Sequence, residues 1–203
     1  MVYDLDLKIG GEAWNKFIIR QLDPAFAKFS TKVMERDKYR CQFCGFQASS
    51  GMSVVNLDHN YSNNKMGNLV TSCPFCHQCL FIEVVGKLQN GGGTLIYLPE
   101  ISQGKLNAMC HVYYASLVNG STQASVADQY IQSLKLRASL VEKQFGEHMS
   151  DPAFLGRMLI DTPVNDLAHR QEVIFNGLRL LPSLEKFEQD ILGWANSAMP
   201  TSD

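Results

Sequence analysis

Two C-x-x-C pairs enclose the segment CQFCGFQASSGMSVVNLDHNYSNNKMGNLVTSCPFCH, which covers residues 41–77. The first pair is Cys41 and Cys44, and the second is Cys73 and Cys76. Zinc prefers four thiolate or imidazole ligands in a tetrahedron, and each pair supplies two ligands from one tight turn. The spacing therefore predicts one zinc ion bound by the four cysteines.

The remaining candidate ligands near these pairs are weaker. His77 directly follows Cys76 and could replace a cysteine, but two matched C-x-x-C turns favour the four-cysteine set. Cys79 and Cys110 fall on apolar helical faces, where a free cysteine is more often a core residue than a ligand. A zinc site with four protein ligands is closed and cannot activate water, so we expect this ion to be structural.

A second set of polar residues lies between and just after the two pairs. It consists of Asp58-His59 at the end of an apparent strand, Asn68, and His77. A carboxylate and an imidazole can hold a hard divalent cation, a neutral imidazole can deprotonate water, and an amide can fix a loop. These residues therefore have the chemistry to hold a hard divalent cation beside a general base that activates water.

Composition places the chain among ordinary globular proteins. It has 203 residues, of which 45% are hydrophobic and 19% charged, and this balance argues against disorder. No apolar run approaches the roughly 18 residues of a membrane helix, and the start MVYDLDLKIG does not resemble a signal peptide. We therefore expect a cytoplasmic protein without membrane insertion, in which reduced thiols favour metal over disulfides.

Charge argues against nucleic acid as a partner. The formal net charge is −2 and the pI is near 6.2, which excludes binding of nucleic acid by bulk electrostatics. The helix-rich C-terminal part is the more acidic one, so whatever positive field exists lies near the cysteines.

Hydrophobic periodicity predicts an α+β layout. We expect strands at 5–9, 52–58 and 94–98, and a helix that begins at Asp23-Pro24. From residue 102 onward the pattern is helical. Within that part, helices are expected to start at Asp151-Pro152, at Thr162-Pro163 and after Ser183.

The apolar strip of the last helix is a candidate docking surface: Phe187, Ile191, Leu192 and Trp194. His111, His148 and His169 are isolated, with no second ligand at helical spacing, and are interpreted as ordinary histidines.

The central motifs resemble the HNH nuclease family with its ββα-metal fold. They are R-D-x-Y-R-C-Q-x-C-G from Arg36, the Asp58-His59 pair, N-L-V from Asn68, and C-x-x-C-H ending at His77. The resemblance covers about residues 33–80. It implies His59 as general base, Asp58 and His77 as ligands of a catalytic cation, and Asn68 as organiser of the loop.

Nearly the whole chain resembles a narrower family, IcmJ, also called DotN, of the Dot/Icm type IVB secretion system. The stretches that carry this are YRCQFCGFQA, GGGTLIYLPE, KLRASLVEKQFGE with SDPA, and RLLPS. The resemblance implies a zinc-bearing HNH-like subunit of the coupling complex at the inner membrane. It also implies binding to the C-terminal extension of the coupling ATPase DotL and a contribution to effector recruitment.

Two functions follow from these observations. We expect a non-catalytic adaptor, because Gln78-Cys79-Leu80 replaces the basic residue that usually follows the final His in HNH nucleases. The alternative is a metal-dependent HNH endonuclease with His59 as base. The expected organisation is a zinc-binding HNH-like α+β region at 1–95, followed by an α-helical region at 96–203 that packs against it as one unit.

Overall fold

The architecture is a mixed one of helices and short antiparallel strands. The computed structural model describes residues 3–87, 90–161 and 167–197. Its strands are β1 (Ser53–Asn56), β2 (Leu69–Ser72), β3 (Gly93–Tyr97) and β4 (Leu178–Pro182). Its α-helices are α1 (Glu12–Gln21), α2 (Pro24–Arg36), α3 (Pro74–His77), α4 (Gln103–Val118), α5 (Ala124–Leu136), α6 (Ala138–Phe145), α7 (Pro152–Asp161), α8 (Leu167–Ile174) and α9 (Leu184–Ser197). The α+β class is therefore confirmed.

The first sheet carries the chain from one C-x-x-C pair to the other. β1 and β2 are antiparallel, with Val55 opposite Val70, and α3 begins directly after β2. The strand side chains of this sheet are almost all buried, and α2 packs against the sheet through Phe26 and Val33. The sheet thus fixes the position of Cys73, which follows β2 and precedes α3.

The second sheet joins the middle of the chain to its C-terminal part. β3 pairs antiparallel with β4, and Leu95 lies opposite Leu180. The expectation of helix throughout the part after residue 102 is therefore wrong at β4. The stretch 178–182 has the sequence L-R-L-L-P, and four of its five residues are buried. Its pairing with β3 favours a strand here, although the neighbouring segments are helical.

One hydrophobic core extends across both expected regions. It contains Leu7 and Phe81 from the N-terminal part and Leu106, Leu155 and Leu180 from the C-terminal part. The expected boundary at residue 95 falls inside β3, whose partner strand lies in the other region. No helix of the described residues is long and apolar enough to cross a membrane.

Local signals placed several helix starts correctly. Asp23 caps α2 by accepting a hydrogen bond from the Ala25 amide at 2.9 Å. Asp151 does the same for α7 through the Ala153 amide at 2.8 Å, and α9 begins after Ser183 as expected. The expected start at Thr162-Pro163 lies outside the described residues.

Two expectations about the chain ends need correction, and helix α1 is not among the expected elements. Gly11 is the N-cap residue of α1. The segment 5–9 is extended but belongs to no sheet of the described residues. The apolar strip of α9 faces the core, because Phe187, Ile191 and Trp194 are buried, and it is not an open docking surface.

A close approach between α7 and the core gives the first testable prediction. A Cβ atom on Gly156 would lie 2.8 Å from the Glu83 Cα and N atoms. Glu83 cannot shift freely, because its carboxylate accepts hydrogen bonds from the amides of Gly10 and Gly11 at 2.9 and 2.6 Å. We expect Gly156→Ala to lower the free energy of unfolding by about 1–3 kcal/mol, measured by urea denaturation.

The matched control is Gly193→Ala in α9. No atom lies within 4 Å of the Cβ that this change would add. Since alanine is favoured over glycine inside a helix by about 1 kcal/mol, this variant should be slightly stabilised. A Gly156→Ala protein as stable as Gly193→Ala would contradict the packing described here.

Candidate metal centre

The four cysteines of the two C-x-x-C pairs meet at one point in the core. Their sulfur atoms all lie within 4.8 Å of one another, and the Cys44 and Cys73 sulfurs are 3.6 Å apart. In a tetrahedral zinc site with Zn–S bonds of about 2.3 Å, the sulfurs are roughly 3.8 Å apart. The spacing and chemistry of these side chains therefore fit a metal ion such as zinc.

Each C-x-x-C pair sits in a local turn that its main chain closes. In the first, the Cys41 amide donates to the Phe46 carbonyl at 2.7 Å and the Gly45 amide to the Cys41 carbonyl at 3.0 Å. Gly45 adopts φ 81°, a conformation that glycine tolerates best. In the second, the amides of Cys76 and His77 both donate to the Cys73 carbonyl, at 3.0 and 2.9 Å.

Hydrogen bonds connect the two turns through the end of β2. The Gln42 amide donates to the Thr71 carbonyl at 2.9 Å, which places the first turn beside the end of β2. The Asp37 carboxylate accepts from the Thr71 amide at 2.8 Å and also pairs with Arg36 at 2.8 Å. The chain leading into the first pair is thus bonded to the strand leading into the second.

Burial makes the thiol cluster depend on a cation. Cys41, Cys73 and Cys76 are at most 1% exposed, whereas Cys44 is partly exposed. Burial raises the pKa of Cys73 and of Cys76 well above the ordinary thiol value. Burial also acts on Cys41, but hydrogen bonds from the other three thiols outweigh it and lower the Cys41 pKa. Four thiolates cannot coexist here unless a positive ion compensates their charge.

Two side chains of α4 contact the sulfur atoms, and the sequence pattern had not singled them out. The His111 Nε2 atom lies 3.3 Å from the Cys73 sulfur, and the Asn107 Nδ2 atom lies 3.2 Å from the Cys76 sulfur. His111 is sandwiched between the rings of Phe46 and Phe75, with centroids 3.7 and 4.1 Å away. His111 is therefore not an isolated histidine. Asn107 and His111 are one helical turn apart on a buried face of α4. This spacing of two polar residues is the sequence signal that indicates a shared buried contact.

Cys79 and Cys110 lie outside the cluster. Both are fully buried, and the Cys79 thiol donates to the Phe75 carbonyl at 3.2 Å. Burial raises the pKa of Cys110 to about 12, so this thiol stays protonated. Both therefore behave as core residues, as expected.

Asp58 and Asn68 lie together in the loop between β1 and β2. The Asn68 side chain donates to the Asp58 carboxylate at 2.8 Å and accepts from the Asp58 amide at 3.1 Å. Asn63 and the Asn60 amide also donate to this carboxylate, at 2.6 and 2.9 Å. Burial slightly opposes ionisation, but these hydrogen bonds prevail and lower the Asp58 pKa.

His59 and His77 lie among aromatic rings. His59 has φ 59°, and its ring packs near Tyr61 and Phe81, with both ring nitrogens buried. The His77 Nε2 atom is 3.1 Å from the Asn90 Oδ1 atom. Burial lowers the pKa of each imidazole to about 4, so both are neutral at pH 7.

Asp58, His59 and His77 do not come together as the four thiols do. Within the described residues, only the four cysteines form a group of three or more His, Cys, Asp or Glu side chains with ligand atoms this close.

Comparison with known proteins assigns the chain to a family. No protein-family model matches it. The type 4 apparatus protein DotN of Legionella pneumophila subsp. pneumophila is 45% identical over 196 residues, which cover 97% of this chain and 91% of that protein. The chain belongs to the DotN family. Membership agrees with the resemblance inferred from the motifs, and the near-complete coverage means that it extends to the helix-rich part as well as to the cysteine segment.

The thiol cluster leads to a prediction about metal content. We expect one zinc ion per chain in purified protein, and Cys41→Ser should lose it. Because structural zinc can contribute on the order of 10 kcal/mol to a small module, the melting temperature should fall by more than about 10 °C. The control, Cys110→Ala, should keep one zinc ion, because Cys110 is outside the cluster. Zinc-free wild-type protein would contradict the prediction.

The contact of His111 with Cys73 leads to a prediction about metal retention. His111→Phe keeps a ring between Phe46 and Phe75 but removes the N–H donor, whereas His111→Gln keeps an N–H but loses the ring. Since outer hydrogen bonds typically change metal affinity about 10- to 100-fold, zinc transfer to a chelator should accelerate about tenfold or more in His111→Phe and less in His111→Gln. Equal transfer rates in wild type and His111→Phe would show that the ring alone matters.

Proposed function

We propose that this protein is a zinc-binding, non-catalytic adaptor subunit of a type IVB secretion coupling complex. The observation that carries the proposal is the identity of 45% with a type 4 apparatus protein over 97% of the chain. The buried group of four thiols supports the zinc part of the proposal. In this function the protein is a preformed surface for other subunits and performs no chemistry.

The proposed ligands of the zinc ion are Cys41, Cys44, Cys73 and Cys76. Four protein ligands leave no position for water or substrate, so the ion would join the two turns and stabilise the fold. The contacts of α4 with the sulfur atoms connect the ion to the helix-rich part. Zinc would therefore stabilise the whole partner-binding surface and not only the segment that contains the cysteines.

The segment β1, β2 and α3 is proposed to be an HNH-like core without nuclease activity. A general base works best with a pKa near the working pH, and the pKa of His59 is about 4. Asp58 already accepts hydrogen bonds from three donors, and His77 contacts Asn90. These contacts support an adaptor over a Mg²⁺- or Mn²⁺-dependent endonuclease.

The proposed partner is the C-terminal extension of the coupling ATPase DotL. Through it, the protein would be cytoplasmic, peripheral to the inner membrane, and would help to recruit effector proteins. The formal net charge of −2 favours a partner segment with basic residues over nucleic acid. Exposed charges mainly accelerate association, while buried apolar contacts determine how long the complex lasts.

Titration of the zinc-loaded protein with the cognate DotL tail tests this function. We expect saturable binding by calorimetry that weakens less than about tenfold between 0.1 and 0.5 M salt, because screening acts mainly on exposed charges. The control is a tail of scrambled sequence and equal charge. Absence of binding at every salt concentration, with folding and zinc content verified, would remove the adaptor proposal.

A further inference from the structure

The N-terminal segment Tyr3–Ile9 is an extended chain without a sheet. Its burial alternates, with Leu5, Leu7 and Ile9 at most 7% exposed and Asp4 and Asp6 exposed. This period of two is that of a β-strand, with one row of side chains in the core. The segment therefore has the shape of an edge strand.

Only the ends of this segment have main-chain partners. The Lys8 amide donates to the Cys79 carbonyl at 2.8 Å, and the Lys8 carbonyl accepts from the Ile82 amide at 3.0 Å. The Tyr3 amide donates to the Gln42 carbonyl at 2.8 Å. Among the described residues, the main-chain groups of residues 4–7 have no hydrogen-bond partner.

The unpaired main-chain groups of Leu5 and Leu7 lie on one side of the segment, and those of Asp4 and Asp6 lie on the other. Successive residues of an extended chain direct their N–H and C=O groups to opposite sides, so Leu5 and Leu7 share the side of Ile9. On that side the Gln171 side chain accepts from the Ile9 amide at 2.9 Å. Gln171 thus occupies the place of a neighbouring strand at one residue, while Leu5 and Leu7 have no such substitute.

A groove of about 710 Å³ runs along this side. Segment 4–9 forms one wall, and Gln171, Phe175 and residues 176–179 are among those that line the rest. Part of the β4 main chain beside the groove is already paired, because the Gln103 side chain both accepts from the Leu180 amide and donates to its carbonyl, each at 2.8 Å. Along segment 4–9, Leu5 and Leu7 are the residues of this side whose main-chain groups have no partner among the described residues.

We propose that this groove binds an extended peptide segment of a partner protein, which adds as a β-strand alongside Leu5 and Leu7. Main-chain N–H and C=O groups nearly always find partners in folded proteins, and a strand edge is a template for pairing with another chain. Strand addition satisfies these groups with the partner's own main chain and is a recurrent mode of peptide recognition. The volume lies in the range of about 300–1,000 Å³ that is typical of ligand sites.

The charges at the groove indicate what the peptide carries. The carboxylates of Asp4, Asp6 and Glu172 have no ion-pair partner within 4.0 Å among the described residues. Lys8 and Arg179 also line the groove, and Arg179 donates to the carbonyls of Ile101 and Leu178, each at 2.6 Å. The three carboxylates outnumber these two cations, so a peptide with a basic side chain beside Asp4 or Asp6 is complementary to the groove.

This inference rests on the proposed adaptor function for the origin of the peptide, but it can fail separately. The groove is tested with 12-residue random peptides displayed on phage and selected on the zinc-loaded full chain. The function is tested with the cognate DotL tail.

Two variants alter the groove: Asp4→Lys with Asp6→Lys reverses its charge, and Asn176→Trp fills it from an exposed lining position. The matched control is Asp128→Lys with Glu147→Lys, which reverses two exposed carboxylates elsewhere.

We expect selection of peptides that contain basic residues, bind wild type and the control equally, and bind both groove variants at least tenfold more weakly. Hydrogen exchange should show fast amides at Leu5 and Leu7 in the free protein, slowed at least tenfold by bound peptide. Zinc content and circular dichroism establish that the variants are folded.

Distinct results would overturn the inference. They are the absence of selected peptides, equal binding to the groove variants, protection at sites other than segment 4–7, or slow exchange at Leu5 and Leu7 in the free protein. A dimer of wild type that Asn176→Trp abolishes would assign the groove to a second copy of the chain. If selected peptides bind the groove and the tail does not bind at all, the groove stands and the DotL proposal falls.

Discussion

Four cysteine sulfur atoms within 4.8 Å of one another, three of them from buried residues, impose the constraint on which the rest of the structure depends. Such a cluster is costly in the core unless a cation compensates the thiolates, because charged groups lose their hydration there. The turns at Cys41–Gly45 and Cys73–His77 contribute two ligands each, and the Gln42–Thr71 hydrogen bond sets the turns side by side. Binding of a metal ion by these thiols would therefore be coupled energetically to the pairing of the two distant turns.

The aromatic layer around the cluster extends this constraint to the C-terminal part. His111 stacks on Phe46 and Phe75, and the Trp194 ring of α9 lies 4.9 Å from Phe46 and 5.4 Å from His111. The Trp194 indole also donates to the Ser50 carbonyl at 3.2 Å. The last helix thus covers the cysteine cluster, which explains why its apolar strip is buried.

The loop between β1 and β2 contains residue types that resemble those of HNH nucleases, and their hydrogen bonds stabilise the loop itself. Asp58 receives its hydrogen bonds from asparagines, and Arg20, only 7% exposed, donates to Asn56 and to the Val54 carbonyl. His59 is neutral and enclosed by aromatic rings. A constellation of residue types therefore does not define an activity, because the same side chains can be consumed by structural hydrogen bonds.

The sequence by itself determined the local features: the set of cysteines that cluster, the capped starts of α2 and α7, and the family. The cysteine set follows from the spacing within each C-x-x-C pair, and the helix starts follow from capping residues. Both signals lie within a few residues of the sequence. Only the tertiary structure decided that His111 contacts Cys73, 38 positions away, and that Gln103 satisfies Leu180, 77 positions away. It also decided that the main-chain groups of segment 4–7 have no partner among the described residues. Such contacts depend on which distant elements pack together, and no local period encodes that choice.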